Sequence, residues 1–368
     1  MNAIPQANPY LENQKLEEEI VSAVSRVVKS GTYILGEEVH AFEREFASYL
    51  NVSYAIGVGS GTDAIFLSLV ACGIGPGHEV ILPSHTAVAT ATAVVMAGAI
   101  PIFADIEKDF FTLDPNSVEL LISPRTKAVI VVHLYGQPAQ VEEILQICDR
   151  HNLYLIEDCA QAVGSQFNGR KVGTIGHAGC FSFYPTKNLG TIGDGGCVVS
   201  NNLDLTIRLR KLRQYGWGSN RADSTIHGFN SRLDEVHAAI LRVKLEHLDD
   251  FNNWRGFLAK IYSNSFTNTL VSEPKVRPDC YHSFHLYVVR CRERHLLEKH
   301  LSSHDIGFGF HYLTPVHQQT AFKNNVTTAE LKVTEEISKD ILSLPIYPYL
   351  SPDNVERIAE VVNDFYDA

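Results

Sequence analysis

None of the seven cysteines in this 368-residue chain stands in a C-x-x-C spacing. Positions 72, 148, 159, 180, 197, 280 and 291 fall largely in apolar runs. They read as small core residues rather than zinc ligands or disulfides, and their odd number fits a reducing compartment. Sixteen histidines are present, yet no H-E-x-x-H or comparable cluster appears, so no metal site is expected. Basic residues are outnumbered, 31 Lys and Arg against 42 Asp and Glu, for a net charge of −11. That excludes a general nucleic-acid binder but leaves room for a local basic pocket around a phosphorylated small molecule. Residues 1–10 are polar and lack a basic n-region. The longest apolar stretch, residues 86–103, is interrupted by Gly98 and Pro101, so it reads as a buried helix running into a strand. Repeats and low-complexity tracts are also missing. These absences point to a cytoplasmic protein that engages neither membrane nor nucleic acid.

What is present is the composition of an ordinary globular protein, 45% hydrophobic and 20% charged. The length exceeds one simple core and suggests a large domain over residues 1–250 and a smaller one over 251–368. Residues 12–50 read as two helices around the turn Ser30-Gly31-Thr32. Strand signals at 54–58, 80–82, 100–104, 128–133 and 153–158 alternate with helix signals at 87–97, at 141–151 and in a stretch that Gly59–Asp63 opens and Gly73 stops. Such alternation predicts a mostly parallel sheet with helices on both faces. Two further strands, 180–184 and 196–200, are separated only by a loop carrying Lys187. From 231 to about 266 the pattern is one long helical stretch, suited to bridging the domains. A smaller α+β unit follows, with a strand at 284–290, a helix at 292–304 and a last helix capped by Ser351-Pro352.

The residues that carry chemistry cluster at strand ends. Asp158 closes the apolar run 153–156, and Lys187 follows 29 residues later, beyond the aromatic run 181–184. Ligands of open α/β sheets bind at the carboxyl ends of strands. A lysine, an aspartate and the Ser182 hydroxyl delivered there are the parts of a pyridoxal phosphate site: a Schiff-base amine, a partner for the pyridine nitrogen, and a phosphate ligand. Taken alone, Asp158 is equally a capping or salt-bridged acid, and Lys187 a solvated loop lysine. Aromatics and glycines flank Lys187, however, and burial there disfavours the ammonium. Gly59-Ser60-Gly61-Thr62 before a helix suits a phosphate but equally suits a simple cap. No G-K-[ST] follows it, and Thr62 replaces the last glycine of a dinucleotide fingerprint.

Ordered blocks along nearly the whole chain resemble the DegT/DnrJ/EryC1/StrS family of nucleotide-sugar aminotransferases, which use pyridoxal phosphate. They include the Gly31–Gly36 turn, Ser60-Gly61-Thr62-Asp63-Ala64, Gly75-Pro76-Gly77-His78-Glu79-Val80 and His133-Leu134-Tyr135-Gly136-Gln137-Pro138. Further blocks are Glu157-Asp158-Cys159-Ala160-Gln161-Ala162, the Lys187 segment, Asp194-Gly195-Gly196, Asn230-Ser231-Arg232-Leu233-Asp234-Glu235 and Leu344-Pro345-Ile346. The resemblance implies the aspartate aminotransferase-like fold, called fold type I. It implies Lys187 as Schiff-base lysine and proton carrier, and Asp158 on the pyridine nitrogen. Gln161 would lie near the ring oxygen, and Gly61, Thr62 and Ser182 would hold the phosphate. Asn230 would reach the phosphate of a neighbouring subunit, making the enzyme a homodimer with composite sites. His311, Tyr312 and His317 match a substrate-end segment, each with a purely structural role as the alternative.

Two departures bear on the substrate. Ala87 stands where relatives often carry an aromatic residue stacked on the cofactor, leaving either a roomier pocket or a gap filled by a neighbour such as His85. Leu313 stands where proline is common. The implied reaction moves an amine from glutamate to a nucleotide-linked sugar. Tyr184-Pro-Thr-Lys-Asn-Leu-Gly190 and Tyr215-Gly216-Trp217 resemble the branch of the family that acts on 3-keto-6-deoxyhexoses, for which dTDP is the expected nucleotide, with a 4-keto sugar as the alternative. Deoxygenating relatives carry histidine in place of Lys187. A non-catalytic regulator is the rival of another class, and an intact Lys187–Asp158 pair speaks against it.

Overall fold

The computed structural model describes residues 3–218, 221–323 and 330–366. Its central sheet holds β1 (Tyr54–Val58), β2 (Glu79–Pro83), β3 (Ile100–Ala104), β4 (Thr126–Val132) and β5 (Tyr154–Asp158). Two short strands, β6 (Gln166–Phe167) and β7 (Arg170–Lys171), precede β8 (Ala178–Ser182) and β9 (Gly196–Ser200). The order across the seven-stranded sheet is β1-β9-β8-β5-β4-β2-β3. Only β9 runs antiparallel to its neighbours, because the lysine loop returns the chain directly beside β8. The strands read as almost continuous buried runs, as expected where helices cover both faces. One face packs on Phe42, Phe46, Ile144 and Leu241, the other on Ile65, Leu67, Ala91 and Leu209. Six parallel strands therefore end at one edge, where the functional loops emerge.

A second, three-stranded sheet is built from β10 (Val271–Ser272), β12 (Tyr287–Cys291) and β13 (Ile341–Leu344), and β11 (Cys280–Tyr281) pairs with β6. The predicted single helix over 231–266 is two, Glu235–Glu246 and Leu248–Ser265. The break falls where the His247 amide turns to the Lys244 carbonyl at 3.1 Å, an i→i−3 bond that tightens the last turn. Helix Leu248–Ser265 starts in the large core at Leu248 and ends in the second core at Leu258 and Tyr262. The expected boundary at residue 250 falls inside it. Ile4 also packs in that second core and bridges to Ile306.

Strand edges differ from expectation where the backbone turns. The strand expected at 180–184 ends at Ser182, and Tyr184 is exposed beyond it. The strand expected at 284–290 begins only at Tyr287, because Phe284 sits at a positive φ of 45° that no strand accommodates. Helices Pro115–Leu121, Leu203–Leu212 and Lys332–Asp340 lie outside the elements expected from the sequence, although Asp114 and Asn202 cap the first two. Among the described residues, no helix is long and apolar enough to cross a membrane.

One contact ties distant parts of the chain. Helix Glu37–Leu50 begins at Gly36, which has no side chain to cap it. Buried Glu235 does so from across the sequence. Its carboxylate accepts the N–H groups of Gly36 at 2.8 Å, Glu38 at 3.0 Å and Val39 at 2.9 Å. These are the donors that a helix start leaves unsatisfied. Glu235→Ala should therefore cost about 2–3 kcal/mol, the penalty for orphaned buried donors. A urea midpoint unchanged from that of the parent protein would refute this cap.

Candidate active site

At the end of β5, neighbouring carboxylates diverge because successive strand residues face opposite ways. Glu157 is fully buried and accepts N–H groups from Gly173 (2.7 Å), Ile175 (2.8 Å) and Gly176 (2.6 Å). It also meets His133 Nε2 at 3.0 Å. His133 Nδ1 accepts the Ala139 amide, so Nε2 carries the proton and donates to Glu157. Burial works against the Glu157 anion, but His133 and the Gly176 and Gly173 amides hold it below the usual carboxylate range. The ligand atoms of His133, Glu157 and Cys159 lie within 4.8 Å of one another, as metal ligands do. Here the imidazole and carboxylate are spent on protein partners, and burial pushes the Cys159 thiol well above its usual range. This cluster is a structural knot.

Asp158 faces the open edge of the sheet. Its Oδ2 accepts the Thr90 hydroxyl at 2.8 Å, and its Oδ1 accepts the Ala160 amide at 3.1 Å. Thr86 lies 3.1 Å from Thr90 and continues the chain. Burial raises the Asp158 carboxyl, although the Ala160 amide, Thr90 hydroxyl, Lys187 and His133 pull the other way. Lys187 lies on the loop after β8, where its amide closes a turn onto the Tyr184 carbonyl at 2.9 Å. The next residue, Asn188, is clamped from several sides. Its amide donates to Asn252 Oδ1 at 2.7 Å and to the Ser283 carbonyl at 3.0 Å, and its oxygen meets His285 Nδ1 at 3.0 Å. Lys187 is partly exposed toward a cavity, yet burial lowers its ammonium to about 8, with Asp158 opposing.

Helix Gly61–Ala71 follows β1 with Ser60 as its cap. A Cβ at Gly61 would stand 2.6 Å from that of Ser182, so only glycine lets the two strand ends close up. The Ser182 oxygen receives one long contact, 3.4 Å from the Tyr184 amide. Thr62 makes no side-chain hydrogen bond among the described residues. Two hydroxyls without acceptors at a helix N-terminus form an anion cradle. Ser231 braces it, accepting from Gly59 N at 2.9 Å and donating to Asp63 at 2.8 Å.

Gln161 is fixed at both ends: Oε1 accepts the Tyr135 amide at 2.7 Å and Nε2 donates to the Tyr312 hydroxyl at 3.0 Å. The His311–Tyr312 peptide is cis. His311 Nδ1 meets Ser343 at 2.8 Å, and burial lowers the ring to about 4. His311 shares a cavity of about 160 Å³ with Lys187, Glu12, Arg255, His285 and Tyr347. The remaining sequence candidates lie elsewhere. Both His317 nitrogens are engaged, by Ser84 at 2.6 Å and Glu335 at 3.2 Å, so it braces the end of β2. Asn230 is exposed, at the end of a largely exposed run from 221. His85 is wholly buried, bound to Tyr135 at 2.7 Å, while Ala87 stays partly exposed at a helix start. Thr90, His285 and Arg255 escaped the sequence reading because each sits on a helix or loop far in sequence from the blocks it serves.

A buried acid at one strand end, a lysine of depressed basicity at the next and a cradle closed by Gly61 and Ser182 together fit pyridoxal phosphate. Comparison with known proteins agrees. The model of the DegT/DnrJ/EryC1/StrS aminotransferase family matches residues 14–363. The "Erythromycin biosynthesis sensory transduction protein EryC1" of Saccharopolyspora erythraea is 44% identical, over 95% of this chain and 97% of its own. The dTDP-3-amino-3,6-dideoxy-alpha-D-galactopyranose transaminase of Aneurinibacillus thermoaerophilus is 43% identical, over 97% and 99% respectively. The crystal structure of S. venezuelae DesV in complex with a ketimine intermediate superposes with a TM-score of 0.96 at 41% identity, covering all of both chains. Site geometry, sequence and fold converge: the chain belongs to the DegT/DnrJ/EryC1/StrS aminotransferase family, with pyridoxal phosphate as cofactor.

Proposed function

We propose that this enzyme transfers an amino group from glutamate to C3 of a dTDP-linked 3-keto-6-deoxyhexose in the cytoplasm. The observation that carries the reaction class is Lys187, with an amine near neutrality, at the same sheet edge as the buried Asp158. The C3 position draws support from the 3-amino product in the name of the A. thermoaerophilus relative. The S. erythraea relative bears a regulatory name, but a regulator has no need of a lysine held near 8 beside a buried acid.

Pyridoxal phosphate, when bound, supplies the electron sink that lets an amine pass between two carbonyl carbons. Asp158 would hold the proton on the pyridine nitrogen, whose positive charge offsets the burial that raises the carboxyl. Ser182, Thr62 and the amides at the start of helix Gly61–Ala71 would take the phosphate. Gln161, fixed at both ends, would serve the ring oxygen, and its bond to Tyr312 leaves that phenol's own proton free to donate. Lys187 Nζ, as a free amine, moves the proton between carbons. Asn230 would complete the site of a second subunit. Exposed apolar side chains such as Ile226 and Phe229, close to Asn230 in sequence, suit a homodimer interface.

The purified protein should be yellow, lose its visible band on addition of glutamate, and recover it with a 3-keto rather than a 4-keto nucleotide sugar. No band after incubation with pyridoxal phosphate would overturn the reaction class; recovery only with the 4-keto sugar would overturn the position. Lys187→Ala should abolish turnover, and Asp158→Asn should lower kcat by at least about a hundredfold while the cofactor stays bound.

The pH dependence follows from Lys187. Capture of the cofactor would need the neutral amine of Lys187, and a pKa lowered to about 8 makes roughly one amine in ten neutral at pH 7, against about one in several thousand for an ordinary lysine. Cofactor uptake by the apo-protein should accelerate about tenfold per pH unit up to about 8 and level off above it. A rate still climbing through pH 10 would contradict the depressed value.

A further inference from the structure

Arg255 projects from helix Leu248–Ser265 into the cavity that Lys187 lines, and only 4% of it is exposed. Its Nη1 donates to the carbonyls of Phe284 (3.4 Å), His285 (3.3 Å) and Ile346 (2.8 Å), while Nε has no partner. Among the described residues, no carboxylate lies within ion-pair distance of it. The acid nearest in effect, Glu12, is already engaged by Lys244 at 2.8 Å. Guanidinium groups remain charged, and a buried charge without a counterion is costly. Such a group is retained where a ligand supplies the missing anion.

We propose that Arg255 is the receptor for the carboxylate of the amino-acid donor, placing the donor's amine against Lys187. An α-amino acid carries amine and carboxylate on one carbon, which matches a cavity lined by both residues. The cavity is small, about 160 Å³, in keeping with an occupant the size of a free amino acid. The neighbouring His285 and His311 rings are neutral at physiological pH, since burial lowers both, and add no competing charge. The three carbonyls on Nη1 fix the guanidinium plane in advance, as a bidentate carboxylate site requires.

This assignment rests on the amine-transfer reading, and the two are separable. Glutarate, which has both carboxylates but no amine to transfer, is titrated calorimetrically into the cofactor-loaded enzyme and into Arg255→Lys and Arg255→Gln. The expected result is a Kd weakened about 10- to 100-fold in Arg255→Gln, with partial rescue in Arg255→Lys. In stopped flow, the KM for glutamate rises by a similar factor, and the glutamate half-reaction suffers far more than the keto-sugar half-reaction. Equal glutarate affinity in all three proteins overturns the assignment even where glutamate discharges the visible band. If glutamate fails to discharge the band in the unaltered enzyme, the donor reading falls, while the glutarate titration still judges Arg255. Should both variants misfold, a crystal structure of the unaltered holoenzyme with glutarate decides. A carboxylate on the Arg255 guanidinium upholds the assignment, and a carboxylate elsewhere in the cavity overturns it.

Discussion

The period of two along β5 is the constraint on which the site depends. It sends Glu157 and Asp158 to opposite sides of one strand end, and their environments then diverge. Glu157 receives three backbone amides and the His133 proton. That fixes the 173–176 loop, which leads directly into β8 and so sets where Ser182 and the lysine loop emerge. Asp158, with one hydroxyl and one amide, is left short of positive charge. A slip of one residue in this strand would exchange the two roles and destroy both.

The same incompleteness recurs across the site. Lys187 is held where its ammonium is disfavoured, Asp158 where its carboxylate is disfavoured, and Arg255 where its charge lacks a counterion. Each departure from ordinary solvation marks the place of a missing opposite charge. The fully satisfied groups nearby, Glu157, His133 and His317, are those the geometry assigns to architecture.

Much of the fold was legible because its signals are local. Buried parallel strands announce themselves as apolar runs, and Ser60 and Ser351 announce helix starts. Asp158, Lys187, Ser182 and Gly61 could be singled out because each sits at or just beyond a strand end within a short block. Less was legible where a role depends on tertiary neighbours. His317 looks like a substrate residue in sequence but is consumed by Ser84 and Glu335, which lie 233 and 18 residues away. Arg255 reads as one more charge on a long helix, since nothing local shows that its carbonyl partners come from around 284 and 346. The break at His247 was invisible because helical periodicity continues across it in both directions.

The cap supplied by Glu235 also has a consequence in time. The donors of helix Glu37–Leu50 find their acceptor only 196 to 199 residues later. During synthesis, that helix leaves the ribosome with Phe42 and Phe46 uncovered and its first turn open. It stays so while roughly two hundred further residues are added, ten seconds or more at ~5–20 residues per second. The amino-terminal third is thus a sticky nascent chain that cannot close without distant sequence. Fragments ending short of residue 235 would need a chaperone to remain dispersed.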